Sequence, residues 1–126
     1  MRAPQDDDGA AAVDFVLVST LVLALFLGVV QLAFALYVRN TLVACAADGA
    51  RYAANADRAP TDGAARAREQ IRRSLPDRFA GDVRAGYEPG SDEVFVEVRA
   101  DLPLLGPWGL PHRLVLRGHA LEEGTR

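Results

Sequence analysis

The sequence has no lysine and only one cysteine, Cys45. A single cysteine excludes a disulfide within the chain, so we expect Cys45 to be a small buried thiol, with a bridge to another chain as the alternative. All 14 basic residues are arginines, and from Arg39 onward 13 arginines face 13 acidic residues. This balance lacks the basic excess of a nucleic-acid-binding domain, so no nucleic acid is expected as a partner.

Motifs of catalysis and cofactor binding are also missing. The sequence has no phosphate-binding glycine loop, no metal-spaced cluster of cysteine and histidine, and no nucleophile elbow. His112 and His119 stand at positions of opposite parity in an expected strand, which puts them on opposite faces. The sequence therefore predicts a protein that is not an enzyme and that takes no cofactor, metal or small-molecule substrate.

Formal charge is absent from residues 15–38, a run of 24 residues. As a helix this run is ~36 Å long at ~1.5 Å per residue, enough to cross ~30 Å of hydrocarbon. A secretory signal peptide is the alternative reading, and Ala-x-Ala-like sites after the run would suit a signal peptidase. However, signal peptides have shorter apolar runs of ~7–15 residues and a basic start. The sequence predicts one retained membrane-spanning helix, with the lipid bilayer as a partner.

Small side chains recur on one face of this predicted span. Small residues let a second helix approach closely, and a glutamine in lipid favours a hydrogen-bonding partner. The alternative is that such residues are simply common in membrane helices. The predicted helix–helix interface consists of Thr20, Ala24, Gly28, Gln31 and Ala35.

Asp14 carries the one charge between Gly9 and Val38. One interpretation is an interfacial residue that favours the start of the helix through the helix dipole. The other depends on its spacing: Gly9 and Ala10 stand before it, and Phe15 follows it and opens the apolar helix. This pattern resembles the processing site of type IV prepilins and pseudopilins. The resemblance implies cleavage after Gly9 and pairing of the Asp14 carboxylate with a free amine in a fibre.

The similarity continues through residues 36–54, LYVRNTLVACAADGARYAA. Together with GAAAVDFVLV, this stretch is similar to the TadE-like family of tight-adherence (Flp) pilus assembly proteins. The matching positions are Arg39, Asn40, Leu42, Gly49, Ala50, Arg51 and Tyr52. The resemblance implies a pilin-like fold, and partners that are other pilin-like or TadE-like proteins, reached through the membrane helix and the small domain.

The leader departs from the prepilin pattern. Asp14 stands where glutamate is usual, the leader MRAPQDDD is acidic instead of basic, and Ala10 would be an unusually small first mature residue. Membership of the assembly is therefore the firmer expectation, and cleavage after Gly9 the weaker one. Arg39 and Arg51 follow the span and favour a cytoplasmic C-terminal domain by the positive-inside rule. The resemblance implies the opposite side, which we adopt: a single-pass protein of the cytoplasmic membrane with an extracytoplasmic domain, or a subunit within the pilus.

After the span, an alanine-rich helix is expected to continue, with Gly49 as an interior position of low helix propensity. A second helix is predicted from a cap at Thr61 or Asp62 to Pro76. Its arginines suggest a solvated basic face, with anionic headgroups or an acidic partner as the alternative. They are Arg66, Arg68, Arg72 and Arg73.

Alternating apolar residues follow in EVFVEVRADL, which predicts a half-buried strand. DVRAGYE and RLVLRGHAL alternate similarly, and PGSD is a turn, so we expect a three-stranded antiparallel meander on one or two helices. Arg113 and Arg117 are predicted to meet Glu93 and Glu97 across the strands, with Val115 over Phe95. Side-chain alternation along the strands is the basis of this expected pairing.

The segment LPLLGPWGLP between the last two strands is apolar and carries Trp108. This tryptophan either fixes its loop to the domain or contacts a partner. The domains are predicted as residues 1–14, leader and helix start; 15–38, transmembrane helix; and 39–126, small α+β domain. The chain is expected to be a TadE-like minor pseudopilin or membrane scaffold for pilus assembly. The alternative is a signal-anchored envelope domain that binds an exported partner or ligand.

Overall fold

A computed structural model describes residues 5–55, 58–102 and 112–121. The predicted tryptophan loop, including Trp108, lies outside these residues. Two α-helices, α1 (Gln5–Ala54) and α2 (Pro60–Ser74), are followed by a 3-10 helix (Asp77–Ala80). Three strands complete the described part: β1 (Asp82–Tyr87), β2 (Glu93–Leu102) and β3 (His112–Leu121). The predicted α+β class, with an N-terminal helix fit to span a membrane, is confirmed.

The chain divides into two units, Met1–Phe34 and Ala35–Arg126. In the first, α1 is apolar and exposes its large side chains to the surroundings, as Phe15 does at 73%. One helix in the described residues is long and apolar enough to cross a membrane, with a mean hydropathy of 2.6 over its most apolar stretch. None of that stretch is buried inside the protein, so its side chains are available to lipid or to another helix.

The second unit contains the rest of α1, packed with α2 and the sheet around one core. Val38 and Leu42 of α1, Ile71 of α2 and Phe79 of the 3-10 helix are fully buried in it. Val38 was expected at the end of the transmembrane run, but here its side chain is covered by the core of the second unit.

The start of α2 differs from the predicted one. Pro60 is the first helical residue and Ala59 is the cap, so neither Thr61 nor Asp62 takes the cap position. Pro60 suits this place because proline has no N–H to leave unpaired there and its φ angle is already helical. Asp62 acts from inside the helix instead, where its carboxylate accepts a hydrogen bond of 2.9 Å from the Ala59 backbone N–H.

The strands form a meander in the order β1-β2-β3, with both pairs antiparallel. Gly90, with a φ of 81°, forms the β1–β2 turn, as PGSD predicted. One face of β2 is buried, again as predicted: Val94, Val96, Val98, Ala100 and Leu102.

Part of the predicted cross-strand pairing is wrong. Arg117 is opposite Glu97 as expected, but Arg113 is opposite Asp101 and Val115 is opposite Arg99. The reason is the antiparallel direction: moving four residues back along β3 moves four residues forward along β2, away from Glu93. The Phe95 ring is therefore covered by the Arg117 guanidinium, whose carbon lies 4.6 Å from the ring centroid, and not by Val115.

Three glycines let the backbones of the second unit touch. A Cβ on Gly49 of α1 would lie 2.6 Å from the Gly63 carbonyl oxygen of α2, and a Cβ on Gly63 would lie 2.4 Å from the Gly49 carbonyl oxygen. A Cβ on Gly118 of β3 would lie 2.5 Å from the backbone of Ala46 in α1. Gly49, predicted as a position of low helix propensity and as a signature residue, is thus a place where the two helices meet.

Candidate functional site

The predicted processing residues all lie in α1 within the first unit. Gly9, Ala10, Asp14 and Phe15 are helical and exposed. Among the residues that the structure describes, none outside this helix lies within 4 Å of the position that a Gly9 Cβ would take. This part of the helix therefore exposes both the glycine and the carboxylate, and their roles in cleavage and in amine pairing stay predictions.

The predicted helix–helix stripe is exposed over most of its length. Thr20, Ala24 and Gly28 are exposed, and the Thr20 hydroxyl donates a hydrogen bond of 2.7 Å to the Val16 carbonyl oxygen. This bond satisfies the hydroxyl within its own helix, so Thr20 can face lipid or a second helix without an unpaired donor. Gln31 is half-buried. Ala35 opens the second unit and packs against its core, so it does not extend the exposed stripe.

The signature residues of the second unit have different environments. Arg39, Asn40 and Arg51 are exposed, whereas Gly49 is buried against α2. The Tyr52 ring stacks with two guanidinium groups: the Arg58 carbon lies 3.6 Å from the ring centroid and the Arg66 carbon 4.7 Å. Gly49 and Tyr52 therefore hold α1 to the segment that follows it, while the other three remain available at the surface.

Asp48 joins α1 to α2 through a contact that the sequence did not predict. Its carboxylate accepts hydrogen bonds of 2.7 Å from the Arg66 guanidinium and 2.7 Å from the Gln70 side-chain amide. The bond from Arg66 holds the pKa of Asp48 below its usual value, against a smaller opposing effect of burial. The four-residue spacing of Arg66 and Gln70 puts both on one face of α2, which was the available signal.

The basic face of α2 is accordingly not simply solvated, as had been expected. Arg66 is bound to Asp48, and the Arg68 guanidinium donates a 2.8 Å hydrogen bond to the Val83 carbonyl oxygen of β1. Arg73 pairs with Glu69 one helical turn away. Arg72 is exposed and has no ion pair among the residues that the structure describes. The face is divided between packing contacts and a free cation.

A groove runs between α1 and α2 in the second unit. Cys45 borders it but is only 6% exposed, and burial together with the nearby Asp48 carboxylate raises the pKa of its thiol. Cys45 is therefore buried, as expected from the sequence, and the raised pKa disfavours the reactive thiolate. The groove is lined by Tyr37, Asn40, Thr41, Ala44, Cys45, Asp48, Gln70, Arg73 and Ser74.

The outer face of the sheet contains a buried carboxylate. The Glu97 side chain is 6% exposed, and it accepts hydrogen bonds of 2.6 Å from Arg99 and 2.7 Å from Arg117. Arg117 also reaches Glu88, at 3.4 Å. The bond from Arg117 is the largest influence that lowers the pKa of Glu97, and Arg99 adds to it. This network joins arginines of two neighbouring strands, β2 and β3, to a single acid.

Acidification is expected to destabilise the second unit. Because the pKa values of Glu97 and Asp48 are lowered by folding, their stabilising effect is complete above the unfolded values of about 4. It is lost as pH falls through the lower folded values. Glu97→Gln should lower the free energy of unfolding at pH 7 by about 1 kcal/mol, since the arginines remain partly hydrated. It should also flatten the pH dependence below pH 5, measured by urea denaturation in detergent, whereas an unchanged slope would contradict this assignment.

No group of three or more histidine, cysteine, aspartate or glutamate side chains in the described ranges is placed to hold a metal ion. The described surface instead offers an exposed apolar helix, a helix pair closed by glycines and a sheet with arginine–carboxylate pairs. These are features that support packing and attachment to other molecules.

Comparison with known protein families finds a match in α1. Residues 9–51 match the family model described as TadE-like protein. No curated protein matches the chain, and no solved structure matches it. The matched segment begins at the predicted processing glycine and ends at Arg51, so it lies entirely within α1.

The family gives a general function. It implies a role associated with the Tad pilus, and it is not known as a family of enzymes. The apolar N-terminal helix suggests a single-pass membrane protein. Residues 9–51 therefore match the TadE-like family that the sequence resembled.

Proposed function

We propose that this chain is a minor pseudopilin or membrane scaffold in the assembly of a tight-adherence (Flp-type) pilus, and that it performs no catalysis. The observation that carries the proposal is the coincidence of two features in α1. The TadE-like match covers residues 9–51, and the same helix contains an exposed apolar stretch able to cross a membrane. The partners are other pilin-like or TadE-like proteins in the same membrane, with the small domain outside the cytoplasm.

Lateral packing of helices supplies the mechanism. The exposed side chains of the first unit have no partner helix within the described chain, and small residues mark one face of it. In lipid, close approach at small residues gains van der Waals contact that larger side chains would prevent. Thr20, Ala24 and Gly28 are therefore the proposed point of closest approach to a neighbouring subunit. The half-buried Gln31 and Ala35 continue the same face, and Ala35 also packs against the core of the second unit.

Asp14 supplies the specificity in this proposal. It is exposed near the start of the apolar stretch. A carboxylate at the centre of a bilayer costs about 2.5–3.5 kcal/mol on insertion scales, a cost that falls near the interface and when a cation neutralises the charge. A free amine on a neighbouring pilin-like chain would provide that neutralisation. The carboxylate then favours assembly with a charged partner over association with an arbitrary apolar helix.

Asp14→Ala is expected to leave the chain in the membrane but to reduce piliation and co-purification with pilin-like proteins by tenfold or more. Removing the carboxylate makes the span more apolar, so insertion is retained while the partner amine loses its counter-charge. Asp14→Glu is the matched control. It keeps the negative charge, so piliation and co-purification with pilin-like proteins should both be retained. The measurement is a count of pili together with quantification of partners after mild solubilisation. Normal piliation in Asp14→Ala would exclude the proposed carboxylate–amine pair.

Replacing the span tests the proposal against a simple tether. Residues 15–34 exchanged for an unrelated apolar helix of equal length should abolish assembly if the face with Gly28 contacts a partner. The folded second unit should still be present, as judged by resistance to proteolysis. Retention of full function with the foreign span would instead support a signal-anchored envelope domain.

A further inference from the structure

One end of the second unit contains the residue at which the unit starts. It begins at Ala35, directly after the exposed apolar stretch. In this unit α2 runs antiparallel to α1: Gly63 contacts Gly49, and Ser74 lines the same groove as Tyr37. The C-terminal end of α2 therefore lies level with the first turns of α1 in this unit. The same end continues into the 3-10 helix Asp77–Ala80.

Exposed arginines collect at this end. Arg39 stands four residues after Ala35, Arg72 is in the last turn of α2, and Arg78 is in the 3-10 helix. All three are exposed, and none has an ion pair within 4 Å among the described residues. We call these three residues the membrane-proximal arginines. Two further arginines at this end are already bound to carboxylates, Arg73 to Glu69 and Arg113 to Asp101.

We propose that the membrane-proximal arginines bind the anionic headgroups of the phospholipids around the span. The proposal rests on the membrane location in the proposed function, but not on its role in a pilus. Four helical residues rise about 6 Å, so Arg39 lies within side-chain reach of the surface on which Ala35 emerges. A guanidinium group binds phosphate through parallel hydrogen bonds, and its charge remains at every physiological pH.

The net positive charge at this end of the unit favours binding to anionic lipid over simple solvation of the arginines. Asp77 is an exposed acid beside Arg78. Asp82 and Asp101, which line one groove with Arg78, are paired with arginines of their own, so the three membrane-proximal arginines and Asp77 leave a net charge of two. At a bilayer containing anionic lipid, each basic residue near the surface gains roughly enough attraction for a fivefold change in occupancy. Headgroup contact would also hold the second unit in one orientation, with its sheet at a fixed angle to neighbouring subunits.

The test is chemical footprinting of arginine in the full-length protein. The chain is reconstituted in nanodiscs of phosphatidylcholine alone, or with one third phosphatidylglycerol, and treated with a neutral dicarbonyl reagent specific for arginine. Modification at Arg39, Arg72 and Arg78 should be about fivefold slower in the anionic discs. Arg51, exposed in the last turn of α1 at the opposite end of the unit, is the internal control and should react equally in both. Added salt at 0.5 M should remove the difference.

Each other result overturns the proposal. Equal modification of Arg72 and Arg78 in both discs would mean that they do not bind anionic lipid. Equal slowing of these residues and of Arg51 would be a general effect of the lipid on the reagent. Slowing only after addition of an acidic pilus protein would assign the surface to a protein partner. Failure of the chain to enter the discs would count against the membrane location as well, whereas entry without protection would count against lipid binding alone.

Discussion

Gly49→Ala is expected to destabilise the second unit by about 2–3 kcal/mol, although alanine is the better helix former. Two effects oppose each other. Alanine in a helix interior gains about 1 kcal/mol over glycine. The new Cβ, however, would lie 2.6 Å from the Gly63 carbonyl oxygen and 3.0 Å from the Ala67 Cβ. Backbone cannot rotate away as a side chain can, so α1 and α2 must separate and loosen the core between them.

The measurement is the free energy of opening of β2 and α2 amides by hydrogen exchange of the full-length protein in detergent. Gly81→Ala is the matched control. Gly81 has a helical φ of −72°, and the nearest atom to its added Cβ is the Arg78 carbonyl oxygen at 3.6 Å. The Gly81→Ala variant should therefore be as stable as the parent protein or slightly more stable. Unchanged protection in Gly49→Ala would mean that the helices do not cross at this point.

Gly63→Ala should cost a similar amount, and the double variant should cost less than the sum of the two. Once the first methyl group has pushed the helices apart, the second enters space that is already open. Strict additivity would indicate two separate contacts and would contradict a shared crossing of Gly49 with Gly63.

The periodicity of the sequence predicted the helices and strands. It did not predict the contacts between residues that are far apart along the chain. The apolar run, the second helix and the β2 alternation each follow from short-range spacing, and all three are confirmed. The cap of α2 was misplaced because Thr61 and Asp62 are both good cap residues, whereas Pro60 at the first helical position requires the cap to be Ala59.

The contacts of Gly49 and Asp48 could not be derived from the sequence. A glycine in an alanine-rich helix has the same local signal whether it faces solvent or another backbone, as the open surroundings of Gly28 in the same helix illustrate. Similarly, the partners of Asp48 lie 18 and 22 residues away on α2. Their register depends on where α2 begins and on the angle at which it crosses α1.

The fold divides the residues of the family signature into two groups. Gly49 and Tyr52 lie on the side of α1 that meets α2 and the segment before it, while Arg39 and Arg51 are exposed. The signature therefore combines the residues that close the second unit with residues left for other contacts. The structure also divides the predicted stripe, since Gly28 is open and Ala35 is packed against the core.

Gly118→Ala is expected to release the sheet from α1, with a loss of about 2–3 kcal/mol in the opening free energy of β3. Gly118 lies on the inner face of β3, opposite Val96. Its added Cβ would lie 2.5 Å from the Ala46 carbonyl carbon and 2.5 Å from the Ala47 nitrogen. The gain in strand propensity on replacing glycine is at most about 1 kcal/mol. The steric clash therefore determines that the substitution is destabilising.

Gly86→Ala is the control on the same sheet. Its added Cβ would meet only the Phe95 ring, at 3.2 Å, on the outer face, and a ring can turn aside where a helix backbone cannot. We expect a change below about 1 kcal/mol there. Exchange should rise in β3 and in α1 around Ala46 for Gly118→Ala, with α2 less affected because its contact with Gly49 remains. Equal effects of the two variants would mean that the clash with the α1 backbone does not determine the loss of stability, and that α1 contacts the sheet through side chains alone.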